Sequence, residues 1–457
     1  MKNPAQSADL AIIGGGAAGV MTAIHALRQA DRPLGIVLVE CSARLAEGIA
    51  YGTTAPEHRL NVPVRRMSAF VDQPDDFLQF MLEHHNPRNL PASVLGETYT
   101  PRAHFAGYLR DRLRNAESAS PARLDVVRDH AVGMQREGSI WHVTLASGIT
   151  LQTRGAVLAT GNSLRPLRVH GAETLPPQTC LEAWQYAAIA GLPADAEIAI
   201  IGAGLSMVDV LLSLNARGHR GRIHVLSRHA LLPLPHAEVH SVAAFDAASL
   251  HTLGLRQRLR RLRQWAAAAR TRGEPWQGVM ECLRPHVQTL WHSLSEDDQR
   301  RFVRHAVRQW DVHRHRVAPD IHSVVLALRD GGQLKVHRGR VRSVEPVGTR
   351  VRVEAALGDG RTLRLEADCI INATGVDTLA ASLGSPLIQG LLGSGIAKAG
   401  PHGMGIDTAD DGEVIAADGS LQPGVFALGS LRIGSLWESL AIPELRRQAE
   451  SVARKLL

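Results

Sequence analysis

Cysteine is scarce and scattered in this 457-residue chain. Cys41, Cys180, Cys282 and Cys369 form no C-x-x-C or C-x4-C pair. That spacing excludes a metal finger and a redox-active dithiol, and it suits a reducing compartment. Aromatic residues are few, at 4%. No basic leader with an apolar core precedes a cleavage site, so no export signal is expected. No apolar run reaches the roughly 18 residues a membrane span needs. The expected setting is therefore the cytoplasm, with no membrane partner. G-x-S-x-G, H-E-x-x-H and P-loop patterns are absent, which removes the common hydrolase, zinc-protease and nucleotide-triphosphate readings. Hydrophobic content of 45% and charged content of 21% are ordinary for a globular protein.

The net charge of +7 comes largely from arginine. Its densest cluster runs Arg256-Gln-Arg-Leu-Arg-Arg261-Leu-Arg263. Leu255, Leu259 and Leu262 recur there at helical spacing, so an amphipathic helix with a solvated basic face is expected. No nucleic-acid-binding motif accompanies it, and no nucleic-acid partner is expected. A basic surface would draw anionic cofactors and substrates inward.

Glycine, by contrast, is placed with care. Leu10-Ala-Ile-Ile-Gly14-Gly-Gly16-Ala-Ala-Gly19 is an apolar strand, a G-x-G-x-x-G turn and the start of a helix. Ile198-Ala-Ile-Ile-Gly202-Ala-Gly204-Leu-Ser206-Met207 repeats the unit, with methionine in the third glycine's place. The first glycine permits a tight turn. The second lets the backbone approach a pyrophosphate, and the third lets helix and strand pack closely. The helix N-terminus then faces the phosphate charge. One such match is weak; two in strand–turn–helix context imply two dinucleotides. The usual reason to hold two is to pass a hydride from a nicotinamide to a flavin.

A second short strand follows each turn. Glu40 ends the first, about 20 residues on, where a carboxylate accepts hydrogen bonds from a bare ribose, as in the adenosine half of FAD. The same offset in the second unit gives Arg228, which suits a 2′-phosphate. The expected cofactors are FAD at the first turn and NADH or NADPH at the second. Further along come alternating strands with glycine turns, read as a β-meander in each unit. Each ends in an apolar run closing on Ala-Thr-Gly: Thr160 and Gly161 in the first, Thr374 and Gly375 in the second. The expected fold class is α/β: two Rossmann-like dinucleotide-binding domains, each with an inserted β-meander, plus a helical insertion.

The expected boundaries are 1–165 for the FAD domain, completed by 371–457, and 195–370 for the NAD(P) domain. A helical insertion is expected at about 231–320, and the second meander from about 323. Gly424 to Gly429 is read as a late strand, and Ile442 to Ala449 as a final helix with Pro443 in its first turn.

Other stretches carry a family resemblance. They are Gly48-Ile-Ala-Tyr51-Gly, His58-Arg-Leu-Asn61-Val-Pro63, Met67-Ser-Ala69, Tyr99-Thr-Pro-Arg102 and Gly107-Tyr-Leu. Further on are Gly202 to Asp209, Leu226-Ser-Arg228, Trp310-Asp-Val-His-Arg-His315 and Trp437-Glu-Ser439. Together they resemble a group of two-dinucleotide flavoproteins that includes a bacterial FAD-dependent urate hydroxylase and an aspartate N-monooxygenase. Gly429-Ser430 departs from the Gly-Asp of many flavoproteins. The resemblance implies a monooxygenase using NAD(P)H and O2 on a small-molecule substrate. Urate to 5-hydroxyisourate is the first expectation. The alternatives are N-hydroxylation of an amine or amino acid, and an NAD(P)H–flavin oxidoreductase that inserts no oxygen.

In such enzymes the cofactor does the hard step, so positioning residues are expected rather than a nucleophile triad. By resemblance Asn61 approaches the flavin ring, and Trp437 and Ser439 meet its pyrimidine edge. Arg102 is a fork donor for an anionic substrate or for the flavin pyrophosphate. The catalytic candidates are Asn61 and Arg102. His58 and His104 read more readily as structural histidines. His313 and His315 lack a third ligand, and no metal is expected.

Overall fold

The computed structural model describes residues 7–239 and 245–457. Residues 240–244, inside the expected insertion, lie outside the described residues. The chain divides into two compact units. One comprises Met1–Pro56, Val62–Ser163 and Asp377–Leu457, the other Glu57–Asn61 and Leu164–Val376.

In the first unit the strand Ser7–Ile13 pairs in parallel with Gly35–Val39 on one side and Thr150–Leu158 on the other. Its residues from Leu10 to Ile13 are all buried. A parallel strand covered on both faces reads as a continuous apolar run for this reason. Arg123–Val127 and Leu421–Ala427 extend the sheet in parallel, and Glu413–Ile415 adds an antiparallel edge. The strand Thr150–Leu158 does two jobs that the sequence reading assigned to separate strands. Residues 150–153 pair antiparallel with the meander strand Ile140–Leu145, while 152–158 lie parallel to Ser7–Ile13. Trp141 anchors the meander: it is fully buried, and its Nε1 donates to the Pro423 carbonyl at 3.1 Å. The final helix, Ile442–Leu456, carries Pro443 in its first turn and packs on the helix Ala17–Gln29.

The second unit repeats the plan. Ile198–Ile201 lies between Ile223–Ser227 and Cys369–Asn372, all parallel. The long strand Leu334–Val347 begins parallel to Ile223–Ser227 and continues antiparallel to Arg350–Leu357, which pairs with Thr362–Ala367. Cys369–Asn372 also pairs with Cys180–Glu182, a strand in the stretch between the two expected domains. Residues 371–376 therefore fall in the second unit, not with 377–457, and that unit takes up the chain from Leu164.

The helical insertion runs further than expected. Residues 319–330 form a helix, and the meander starts at Leu334 rather than near 323. Pro319 stands in the first turn, Ile321, Val325 and Leu328 are buried at helical spacing, and Gly331 ends it. The helix Leu255–Thr271 has the expected exposed arginines, with one exception. Arg258 is 5% exposed and donates to the carbonyls of Leu253, Leu290, His251 and Ser293. A buried guanidinium satisfied by backbone oxygens ties this helix to the segments 251–253 and 290–293.

Among the described residues no helix is long and apolar enough to cross a membrane.

Candidate dinucleotide sites

The two glycine turns have the same construction. The Gly14 amide donates to the Val39 carbonyl at 2.9 Å, and the Gly202 amide to that of Leu226 at 2.9 Å. Both glycines have positive φ, 107° and 114°. A Cβ would lie 2.3 Å from the Ala159 oxygen at Gly14 and 2.2 Å from the Ala373 oxygen at Gly202. Each first glycine is thus wedged against the return strand that ends in Ala-Thr-Gly. The second glycines are different. A Cβ on Gly16 would meet only the Gly48 Cα, at 3.8 Å, and one on Gly204 only Arg308 Nη1, at 3.9 Å. Each looks onto open space beside a helix N-terminus, Ala17–Gln29 or Leu205–Ala216. That space and those free amides fit a pyrophosphate.

The third position separates the copies. A Cβ on Gly19 would stand 1.8 Å from the Gly14 oxygen. Met207 occupies the corresponding place fully buried, so the second helix accommodates a side chain there.

Glu40 follows the strand Gly35–Val39. Its carboxylate accepts from the amides of Gly15 at 2.6 Å and Ser42 at 2.7 Å. Burial works against its ionisation, but the Ser42 and Gly15 amides outweigh it, and the carboxyl is held below its ordinary range. The anion expected for ribose recognition is therefore present at the turn. Thr160 and Gly161 close the return strand, with Gly161 at φ 72°. The Ser430 hydroxyl donates to the Gly161 carbonyl, tying the two segments expected to flank a flavin. Beside them the Asn162 Oδ1 is buried with no hydrogen-bond partner among the described residues. Such an atom needs an explanation, and a ligand donor supplies one.

Near the C-terminus, Trp437 and Glu438 both have positive φ, 44° and 53°. Two consecutive non-glycine residues in this region are costly and must be held by their surroundings. The surroundings do hold them. The buried Ser439 hydroxyl donates to the Gly429 carbonyl at 2.6 Å, and Gln448 accepts from the Gly429 amide while donating to the Ser439 carbonyl.

In the second unit Ser206 lies in the first turn of Leu205–Ala216, and Thr374 and Gly375 follow the return strand Cys369–Asn372. The Thr374 hydroxyl donates to Asn372 Oδ1 at 2.7 Å, and Gly375 has φ 92°. Arg228 follows Ile223–Ser227 and is exposed. The next residue, His229, has its pKa lowered by burial, then by Arg228, Arg338 and Arg308.

The catalytic candidates fall in different units. Asn61 belongs to the second, where its carbonyl accepts from His236 Nε2 at 2.9 Å. Arg102 belongs to the first, as the opening residue of the helix Arg102–Ala119. It lies within electrostatic reach of Tyr51, the last residue of the short helix Gly48–Tyr51. Tyr51 packs on Phe105 at 5.0 Å, and burial raises its phenol pKa far more than Arg102 lowers it. A half-buried guanidinium beside a neutral phenol is suited to a small carboxylate. Arg102→Lys is expected to weaken such a substrate by about 1–3 kcal/mol, because a point charge cannot reproduce the fork. FAD content should stay at the wild-type level; loss of FAD instead would place Arg102 at the flavin phosphates.

The histidines settle into structural places. His58 is fully buried, with Nε2 3.1 Å from the Asp209 carbonyl and 2.9 Å from Ser213 Oγ. His104 stacks on His85 at 3.9 Å and meets Thr100 Oγ1 at 2.6 Å. Burial and the His85 ring push its pKa down to about 4. His313 bonds to the Gln309 carbonyl at 2.7 Å. Among the described residues no group of three or more metal-ligating side chains occurs.

Residues 11–163 match a family model described as FAD-NAD(P)-binding. No curated protein sequence matches the chain. Solved structures do, over nearly its whole length. An ornithine hydroxylase from Pseudomonas aeruginosa, in its reduced form, gives a TM-score of 0.67 at 16% identity and covers 98% of each chain. An ornithine N-hydroxylase from Kutzneria sp. 744, solved with reduced FAD, NADP+ and L-ornithine, gives 0.68 at 14%, covering 98% of this chain and 99% of that one. An L-lysine 6-monooxygenase from Pseudomonas syringae gives 0.62 at 18%, with coverage of 98% and 99%. At these identities the likeness is one of fold. The fold is that of a two-dinucleotide flavoprotein, and residues 11–163 carry an FAD-NAD(P)-binding domain.

Proposed function

We propose that the chain is an FAD-dependent monooxygenase that uses NAD(P)H and O2 to hydroxylate the nitrogen of a small amine, with an amino acid as the preferred substrate class. The observation that carries this reading is the doubled glycine turn. Both second glycines face open space at a helix N-terminus, and Glu40 and Arg228 directly follow the strands Gly35–Val39 and Ile223–Ser227, where a ribose partner is expected. When bound at the first turn, FAD would supply the hydride acceptance and O2 activation that the reaction needs. In the overall balance one oxygen atom would go to the substrate nitrogen, and the other would leave as water with the hydride and a solvent proton. The chain's part is to bind and orient. Glu40 accepts from the adenosine ribose, the two helix N-termini hold the phosphates, and Arg102 anchors the substrate carboxylate.

The N-hydroxylating alternative is preferred over urate because the matched structures include two ornithine hydroxylases and an L-lysine 6-monooxygenase by name, at TM-scores of 0.62 to 0.68. Nothing in the geometry favours a purine. The same architecture serves disulfide reductases, but the sequence has no C-x-x-C or C-x4-C pair, and burial raises the pKa of both Cys180 and Cys369, the two cysteines on neighbouring strands. The test is turnover with 18O2 across a panel of amino acids and diamines. One labelled atom in an N-hydroxy product, with one NAD(P)H consumed per product, is expected. Label confined to hydrogen peroxide across the whole panel would replace this reading with the oxidoreductase one.

A further inference from the structure

Arg308 comes from the helical insertion, in the helix Val307–Arg314, directly after a π-helical turn at Phe302–Ala306. Such turns recur at functional sites. One end of its guanidinium is committed: Nη2 donates to the Ala203 carbonyl at 2.6 Å and the Leu231 carbonyl at 2.7 Å. Ala203 is in the middle of the second glycine turn. Leu231 lies just past Arg228, in the segment after the strand Ile223–Ser227. The two carbonyls therefore fix the guanidinium across the turn. The other end is what faces Gly204, with Nη1 3.9 Å from where a Cβ would stand. No carboxylate is hydrogen-bonded to Arg308 among the described residues. This is a preset, half-buried cation at the point where the backbone is bare.

We propose that Arg308 is the pyrophosphate-binding residue of the nicotinamide site, and that the helical insertion exists in part to deliver it. This rests on the second unit being the NAD(P) site. Arg228 then selects the 2′-phosphate, and Arg308 serves the phosphates that NADH and NADPH share.

The local electrostatics agree. Burial lowers the Arg308 pKa, with Asp311 alone opposing, yet a guanidinium keeps its charge. A partly desolvated cation with no carboxylate hydrogen-bonded to it is worth most to an anion that neutralises it. Its neighbours add to the positive field. Arg314, Arg284, Arg308 and Arg316, after desolvation, hold His315 down to about 3. His315 is itself 43% exposed, with its Nε2 4.0 Å from Asp311 Oδ1. A field of this sign draws phosphates in.

The experiment measures equilibrium binding of NADP+, NAD+, ADP-ribose and adenosine 2′-monophosphate to FAD-loaded protein. Arg308→Met is expected to weaken NADP+, NAD+ and ADP-ribose alike, by about tenfold or more. Adenosine 2′-monophosphate, which lacks the pyrophosphate, should bind as in wild type. Arg228→Glu should do the reverse, weakening NADP+ and adenosine 2′-monophosphate while sparing NAD+. Unchanged NADP+ and NAD+ affinity in Arg308→Met overturns the assignment. Equal loss of all four ligands also overturns it, since that marks a collapsed turn and a purely structural arginine. Wild-type protein that binds neither NADP+ nor NAD+ would refute the nicotinamide reading itself, and this inference with it.

Discussion

Gly19→Ala should purify colourless, or with FAD far below one per chain. The added Cβ would stand 1.8 Å from the Gly14 oxygen and 3.3 Å from Ile12 Cγ2. Both neighbours belong to the turn and strand that build the site, and the nearest is a backbone atom that cannot rotate away. The helix Ala17–Gln29 must lift off the strand, which carries its N-terminal amides away from the phosphates. Overpacking in a core costs about 1–3 kcal/mol, and contact this close falls at or beyond the upper end. Gly390→Ala is the control. It is a helical glycine with nothing within 4 Å of its Cβ position. It should stay yellow and gain about 0.5–1 kcal/mol, because alanine loses less backbone freedom on folding. Flavin absorbance per chain and thermal melting check both variants. A yellow Gly19→Ala protein of wild-type stability would contradict the close approach at the first turn.

Gly202→Ala should separate the two cofactors. Its Cβ would stand 2.2 Å from the Ala373 oxygen and 2.6 Å from its carbonyl carbon, at a φ of 114° that alanine rarely adopts. The backbone strain alone costs about 1–3 kcal/mol, and the clash with the return strand adds to it. A site displaced by about 3 kcal/mol or more loses about 100-fold in affinity. The protein should therefore retain FAD, be reduced normally by dithionite, and respond to NADPH about 100-fold more weakly. Loss of FAD together with NADPH binding would mean that the second turn does not belong to a separate site.

Both glycine turns were legible because their requirement is local. A backbone carbonyl lies against the first glycine, and only a residue without Cβ fits at positive φ. The return strands were legible too, as apolar runs closing on Ala-Thr-Gly. What escaped was non-local. Cys180–Glu182 is only three residues long and is a strand only because Cys369–Asn372 lies beside it. Thr150–Leu158 changes partners midway, which no periodicity announces. The helix Pro319–Asp330 was hidden by His322 and Ser323, which break its apolar pattern. Its Pro319 start and Gly331 stop were the usable signals. Arg258 and Arg308 show the limit most clearly. Each is one arginine among many in the insertion, and only the carbonyls that surround it distinguish it from a solvated charge. Arg308 also falls outside the quoted Trp310-to-His315 stretch, so no motif pointed to it. The choice between urate and an amine lay beyond the residues because the scaffold carries the chemistry and a few pocket side chains carry the substrate.

The most direct test is anaerobic mixing of the FAD-loaded wild-type protein with NADPH or NADH. The yellow absorbance should bleach with one nicotinamide oxidised per flavin, and Gly202→Ala should bleach only slowly. Flavin that stays yellow with both nicotinamides, yet bleaches with dithionite, would contradict hydride transfer between two dinucleotides held by this one chain.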